Sequence, residues 1–484
     1  MRNILRTLLC LLLIVPAARA HVGSKDVFET IDAGPYKLFV TIRPPLVIPG
    51  VADVEVRVSG AAVTAMQITP TPLTGEASKH PPTADTMAVS KVDPAFFTGS
   101  VWIMAPGSWQ VRFTVDGAAG PQTASIPVPA VPLATLKMQR GMGWALGLMG
   151  LFLVASMTGL VGAAVRESRL APGVIADAKR RRWGYAAMAC ALILLSTIVW
   201  LGGAWWDRNA VAYASNIYQP MKATASLNGD VLDLQLAGIA PRKEKERLPV
   251  DRPKNDLLPD HGKLIHLYAI REPEMDAAFH LHPDLAAPGD FRIALPAMPP
   301  GTYRLFGDIV HKSGFPETVV TTLTIPAGLP AAHLGPDDAE ATPAPLSAGA
   351  MGTTYKLPDG YSMVWDAPAS LTANTAEVFR FRLLGPDGQP ANSMEPYLGM
   401  AGHAAFVKTD GTVFAHTHPD GSAAMPAMDI ANGTMDAMAG MSPAPVGPEV
   451  GFPYGFPSPG RYRIFVQMKH SGTVETGVFD ALVK

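Results

Sequence analysis

The feature that most limits what this chain can become is a phrase that occurs twice. Phe279-His280-Leu281-His282-Pro283-Asp284 returns in the C-terminal part as Phe414-Ala415-His416-Thr417-His418-Pro419-Asp420. Side chains two apart on a strand share a face. Each phrase therefore aims two imidazoles at one place, as a bound metal requires. In a single copy, exposed polar residues at a strand end would look the same. The match runs further, however. His266 precedes His280 by fourteen residues and His403 precedes His416 by thirteen. Downstream, Pro300-Gly301-Thr302-Tyr303-Arg304-Leu305-Phe306 leads to His311, and Pro459-Gly460-Arg461-Tyr462-Arg463-Ile464-Phe465 leads to His470, with ten residues from Gly to His in both. Glu317-Thr318 and Glu475-Thr476 continue the match. This is an internal repeat of one domain. It predicts one cluster of His266, His280, His282 and His311 and another of His403, His416, His418 and His470. The phases differ: Phe279 and Leu281 alternate with the first pair of histidines, whereas Phe414 is in phase with His416 and His418. That predicts a bulge in one copy, or metal binding in only one.

The remaining features place the repeats in a longer chain. With 484 residues, about three domains are expected. Forty-five glycines and 46 prolines favour turns and short strands over helix bundles. A formal net charge of -2 offers no basic patch, so nucleic acid is not an expected partner. The two cysteines, Cys10 and Cys190, form no disulfide framework, so sulfur ligands would have to come from the 22 methionines.

Residues 1–20 read as a signal peptide, with Arg2 and Arg6, an apolar Leu8–Val15 core and Ala18-Arg19-Ala20 before the cut. Cleavage there makes His21 the new amino terminus, whose amine and imidazole can chelate one copper ion. His80 is the other histidine ahead of the helices and the expected partner. Residues 21–130 alternate as a β-sandwich, as in Tyr36–Ile42, Val54–Val58 and Trp109–Val115. Two charge-free runs, 141–165 and 184–206, are each long enough to span a bilayer. Between them, residues 166–183 carry Arg166, Arg169, Lys179, Arg180, Arg181 and Arg182, which marks a cytoplasmic loop. Both flanking parts are then periplasmic. The first repeat spans 207–328, with a charged loop from Arg242 to Arg252. Residues 329–350 read as an Ala- and Pro-rich linker, and 351–484 form the second repeat. The second differs by an insertion carrying Met425, Met428, Met435, Met438 and Met441 among Gly, Ala, Pro and Asp. In that polar setting they have no core to fill, and thioether is a soft ligand that suits Cu(I).

No phosphate-binding, dinucleotide or nucleophile-elbow motif is present. Imidazole alone does not choose between metals. The thioethers, the amino-terminal His and the place outside the cytoplasm favour copper, with zinc second. Asp284 and Asp420, or Glu317 and Glu475, are possible carboxylate ligands or bases.

The pattern Met400-Ala401-Gly402-His403, then His416-Thr417-His418-Pro419, then Tyr454-Gly455-Phe456-Pro457-Ser458-Pro459-Gly460-Arg461-Tyr462-Arg463 and His470 resembles the C-terminal sandwich of bacterial secreted proteins linked with copper handling. The N-terminal domain is similar in layout to YtkA-like and FixH-like domains. His21 resembles the mature start of CopC-type copper carriers. The resemblance implies immunoglobulin-like sandwiches and a copper role. The expected whole is mainly β: one N-terminal and two tandem C-terminal sandwiches with a two-helix transmembrane hairpin. It would bind copper at the inner membrane for tolerance, or for delivery to a periplasmic or membrane cuproprotein, and would not be an enzyme. A metal-dependent hydrolase using the same histidines and a metal-free docking scaffold are the rival expectations.

Overall fold

The computed structural model describes residues 26–238, 252–434 and 445–484. The fold is mainly β, as the alternation requires. The N-terminal sandwich packs a five-stranded sheet (Val27–Ala33, Tyr36–Arg43, Gly50–Gly60, Phe96–Ile103, Ala88–Val89) on a four-stranded one (Asp85–Thr86, Val63–Pro72, Gly107–Gly117, Gln122–Ala130). Leu38, Val40 and Ile42 from one sheet meet Val111, Phe113 and Val115 from the other, at the every-second positions a half-buried strand supplies.

Residues Pro132–Tyr218 form a compact unit of their own. Two helices, Arg140–Glu167 and Ala178–Ala214, are long and apolar enough to cross a membrane, with mean hydropathies of 2.1 and 2.0. Leu151, Phe152, Ile193, Leu194 and Trp200 are exposed, which suits hydrocarbon better than water. The helices exceed the charge-free runs 141–165 and 184–206. The second begins inside the basic loop, because Asp177 accepts the backbone N–H of Arg180 (2.8 Å) as an N-cap and Lys and Arg are good helix formers. They approach at glycines: a Cβ on Gly162 would lie 2.3 Å from Met188 Cγ. The ends of the unit meet where Tyr218 N–H donates to Pro132 O (2.8 Å).

In the first repeat one strand order runs from Asp284–Ala287 through Asp290–Ala294, Val231–Ala237, Lys222–Asn228, Pro316–Ile325, Gly301–His311, His266–Glu272 and Ala278–Leu281 to Ala339–Ala341. It wraps a core containing Leu232, Leu234, Phe291, Tyr303 and Leu305. The second repeat has a four-stranded sheet (Thr354–Lys356, Ser362–Asp366, Glu377–Leu384, Glu449–Tyr454) on one built from Thr473–Val483, Gly460–His470, His403–Lys408 and Phe414–Thr417, with Met394–Glu395 at its edge. Trp365, Phe381, Phe406 and Phe479 fill it. The segment expected as a linker takes part in the fold. Its strand Ala339–Ala341 pairs with Ala278–His280, covering backbone groups that an edge strand would leave open.

The two repeats pack face to face. On His266–Glu272, Leu267 and Ala269 point into their own core, while Tyr268 and Ile270 point to the junction. On Phe414–Thr417, Phe414 points to the junction, where it stacks on Phe306 (ring centroids 4.4 Å, 5° between planes). The sequence phases therefore do not conflict. The His-x-His pairs of both copies face the junction, and Phe414 stands where the first copy has Ala278. No register shift interrupts either pairing, so the expected bulge is absent from these strands.

Candidate metal centre

The histidines of the two copies do not form two clusters. His266, His280 and His282 from the first repeat meet His403, His416 and His418 from the second in one buried nest at the junction. Ring centroids are 5.2 Å apart for His266 and His416, 5.6 Å for His280 and His416, and 6.1 Å for His280 and His403. His261 makes a seventh, 5.4 Å from His403 and 4.8 Å from His418. Within the nest are two groups whose ligand atoms lie within 4.8 Å of one another: His266, His280 and His282, and the mixed set His261, His403 and His418. His261 sits in the tight turn Asp260–Lys263 with φ +49°; the second copy places Leu398, φ +52°, in its own turn Tyr397–Met400. Each lies five residues before the first histidine of its copy.

Residues around the nest fix the rings through Nδ1 and cross between the repeats. His280 Nδ1 donates to Gln467 Oε1 (2.8 Å) in the second repeat. His416 Nδ1 lies 3.3 Å from Asp308 Oδ2 in the first. Gln467 and Asp308 are counterparts, each three residues before the last histidine of its copy. His282 Nδ1 donates to Asp338 Oδ1 (2.9 Å), from the segment expected as a linker. Such outer partners set tautomer and orientation, leaving Nε2 as the ligand atom.

Among the described residues, no hydrogen-bond partner exists for Nε2 of His261, His282, His416 and His418, or for either ring nitrogen of His403. His261 Nε2 is 3.5 Å from Asp260 Oδ1 but outside hydrogen-bond geometry. His266 Nε2 donates to Asp260 O (3.1 Å), which leaves its Nδ1 bare, and that atom faces His280 Nε2 at 3.2 Å. With Gln467 Oε1 as the acceptor for His280 Nδ1, two lone pairs point at each other. Buried polar atoms without partners are costly. A cation accepting these lone pairs removes the cost, so the donor set fits a metal ion.

Burial, reinforced by charge repulsion from neighbouring rings, holds His266, His280, His403 and His418 well below the usual histidine range. Burial first, then His416, lowers His261 to about 4. Neutral imidazole is the ligating form. Burial pushes Asp260 up to about 7.

Several expected site residues lie elsewhere. His311 is buried between Asp256 Oδ1 (2.7 Å) and Glu317 Oε2 (3.3 Å), and His470 beside Asp359 and Glu475. Both follow an odd number of residues after the junction-facing Asp308 or Gln467, at the far end of a long strand. His80 is exposed on the surface, 3.7 Å from Glu76. His21, Met435, Met438 and Met441 lie outside the described residues. Met425 and Met428 belong to a helix, Met425–Asn432, not to a loop without a core: Met428 packs against the N-terminal sandwich. Arg252, read as part of a charged loop, is buried against Glu317. Asp284 is exposed. A groove of about 470 Å³ reaches His418 from between the N-terminal sandwich and the second repeat; Met400, Met425, Met428, Glu29 and Asp420 are on its walls.

Residues 228–327 and 354–484 match a family described as a domain of unknown function, DUF8832. No curated protein matches the chain. Among solved structures, an engineered protein is 22% identical over 20% of this chain, which spans 21% of that protein's length, with a TM-score of 0.15. A bacterial ice-binding adhesin is 8% identical, with 94% and 99% of the two chains covered and a TM-score of 0.14. A tandem repeat from the extending region of a large adhesion protein is also 8% identical, covering 90% and 71%, at 0.15. Likeness at these scores bears on neither site nor function.

Proposed function

We propose that this protein binds copper at the junction of its two repeats, as a membrane-anchored periplasmic protein serving copper tolerance or delivery to a cuproprotein. The observation that carries the reading is the set of bare, buried Nε2 atoms of His261, His282, His403, His416 and His418, on rings from both repeats that pack together at the junction. Imidazole suits both copper oxidation states and zinc. The thioethers of Met400, Met425 and Met428 on the groove that leads to His418 favour copper, because soft sulfur prefers Cu(I). The two apolar helices supply the anchor. The parts of the chain on either side of the helix unit fall in one compact unit, which supports their lying on one side of the membrane. The basic stretch 166–182 then faces the cytoplasm.

The test is metal content of the full chain purified from membranes after growth with copper. Copper retained by the wild type and lost from a His282→Ala, His403→Ala double variant is the expected result. A metal-free wild type that takes up neither Cu(I) nor Cu(II) in titration would refute the reading.

A further inference from the structure

The last histidine of each repeat sits in a carboxylate pair, and the two pairs are neutralised differently. In the first repeat, His311 lies between Asp256 and Glu317, and the guanidinium of Arg252 donates to Glu317. An internal cation thus balances the buried carboxylate. In the second repeat, His470 Nε2 is 3.1 Å from Asp359 Oδ2 and 3.9 Å from Glu475 Oε1. Neither contact has hydrogen-bond geometry, and both ring nitrogens of His470 lack a partner among the described residues although its side chain is only 4% exposed. Among those residues no Lys or Arg pairs with Asp359 or Glu475. Tyr361 covers the imidazole (ring centroids 4.2 Å), and its backbone N–H donates to Asp359 Oδ1 (3.0 Å), turning Oδ2 toward His470. Burial, then the Asp359 charge, pushes Glu475 up to about 7, as expected of crowded carboxylates without a counter-ion.

We propose that Asp359, His470 and Glu475 form a second metal site, separate from the histidine nest, that takes a divalent ion of the zinc class where the first repeat uses Arg252. The three ligand atoms already lie within 4.8 Å of one another. Two carboxylates and one imidazole are a hard-to-borderline set that suits Zn²⁺ and gives no advantage to Cu(I). Two carboxylate charges match the charge of the ion. The Asp359 side chain is 34% exposed, so the ion has access, and solvent can complete its coordination.

The test is zinc titration of the metal-free full chain in detergent, by competition with a chromophoric zinc chelator. Asp359→Asn and Glu475→Gln should each weaken one zinc equivalent by roughly 100-fold or more, at least as much as losing an outer-shell partner costs. A His403→Ala, His418→Ala variant should keep that equivalent. Zinc binding unchanged in both carboxylate variants overturns the proposal and leaves an internal imidazolium–carboxylate pair. If Glu475→Gln fails to fold, Asp359→Asn decides alone, since its side chain is at the rim. Loss of the zinc equivalent in Asp359→Asn from a chain that binds no copper would uphold this site while refuting the copper reading.

Discussion

The first repeat sets a guanidinium on the carboxylate beside its last histidine, and the second leaves the equivalent corner with two carboxylates and an imidazole. The first also contributes His261 from a tight turn in which the second has Leu398. Duplication has therefore kept the strand positions and changed the partners. Two copies of one scaffold no longer carry two copies of one site. They share one nest at their junction, and their outer corners have diverged.

This contrast can be broken by substitution, and the largest effects are expected on stability. Arg252→Met takes the guanidinium away from the buried Glu317 and should cost about 3–5 kcal/mol, read as a lowered Tm. Glu475→Gln in the metal-free chain removes an uncompensated carboxylate and should leave Tm level or higher. Equal losses in the two variants would mean that the corners are not different. Phe414→Ala belongs to the same range, about 3–5 kcal/mol, because it empties the stack on Phe306 at the junction.

Next come the crossed partners of the nest. Gln467→Leu and Asp308→Asn each free a ring of the opposite repeat. Each should weaken copper binding by about 10- to 100-fold in a chelator competition. If Gln467→Leu affected nothing, His280 would not need orientation from the second repeat.

The pH response should separate the two kinds of histidine. His261, His266, His280, His282, His403 and His418 have folded pKa values below the ordinary 6.5, so the unfolded chain binds protons that the folded chain refuses. Their contribution is present above pH 6.5 and is lost as pH falls through the lowered values, about 4 for His261. His311 has the opposite sign. Burial opposes its charge, but hydrogen bonds to Glu317 and Asp256 outweigh that and raise its pKa. Its contribution is present below pH 6.5 and is lost as pH rises through the raised value. Thermal melts of the metal-free chain should fall from pH 7 to 4, and His311→Gln should lose more stability at pH 6 than at pH 8. The smallest effect is expected from Met400, Met425 and Met428 replaced by Leu: Cu(I) uptake falls, Cu(II) binding stays, and stability changes by less than about 1.5 kcal/mol per site.

Strand periodicity made the sandwiches legible, two charge-free runs made the apolar helices legible, and the repeat made six of the seven nest histidines legible. The joining of the copies was not legible, because spacing within a repeat says which residues share a face but not what that face packs on. His311 and His470 recur as faithfully as the others, yet strand alternation carries them away from the junction. His261 had no recurring partner to mark it; its signal was a histidine before Gly262 in a turn that matches Leu398-Gly399. Asp338 was hidden in a segment whose Ala- and Pro-rich composition reads as a linker, although an edge strand there needed covering.

If histidines of both repeats hold one metal together, His261→Ala is the substitution that shows it. This residue lies outside the second repeat but within 4.8 Å, ligand atom to ligand atom, of His403 and His418. Copper binding by the full His261→Ala chain should fall as far as in His403→Ala, with the two losses not additive in the double variant. Full copper binding in His261→Ala alongside loss in His403→Ala would contradict the shared nest and mean one separate site in each repeat.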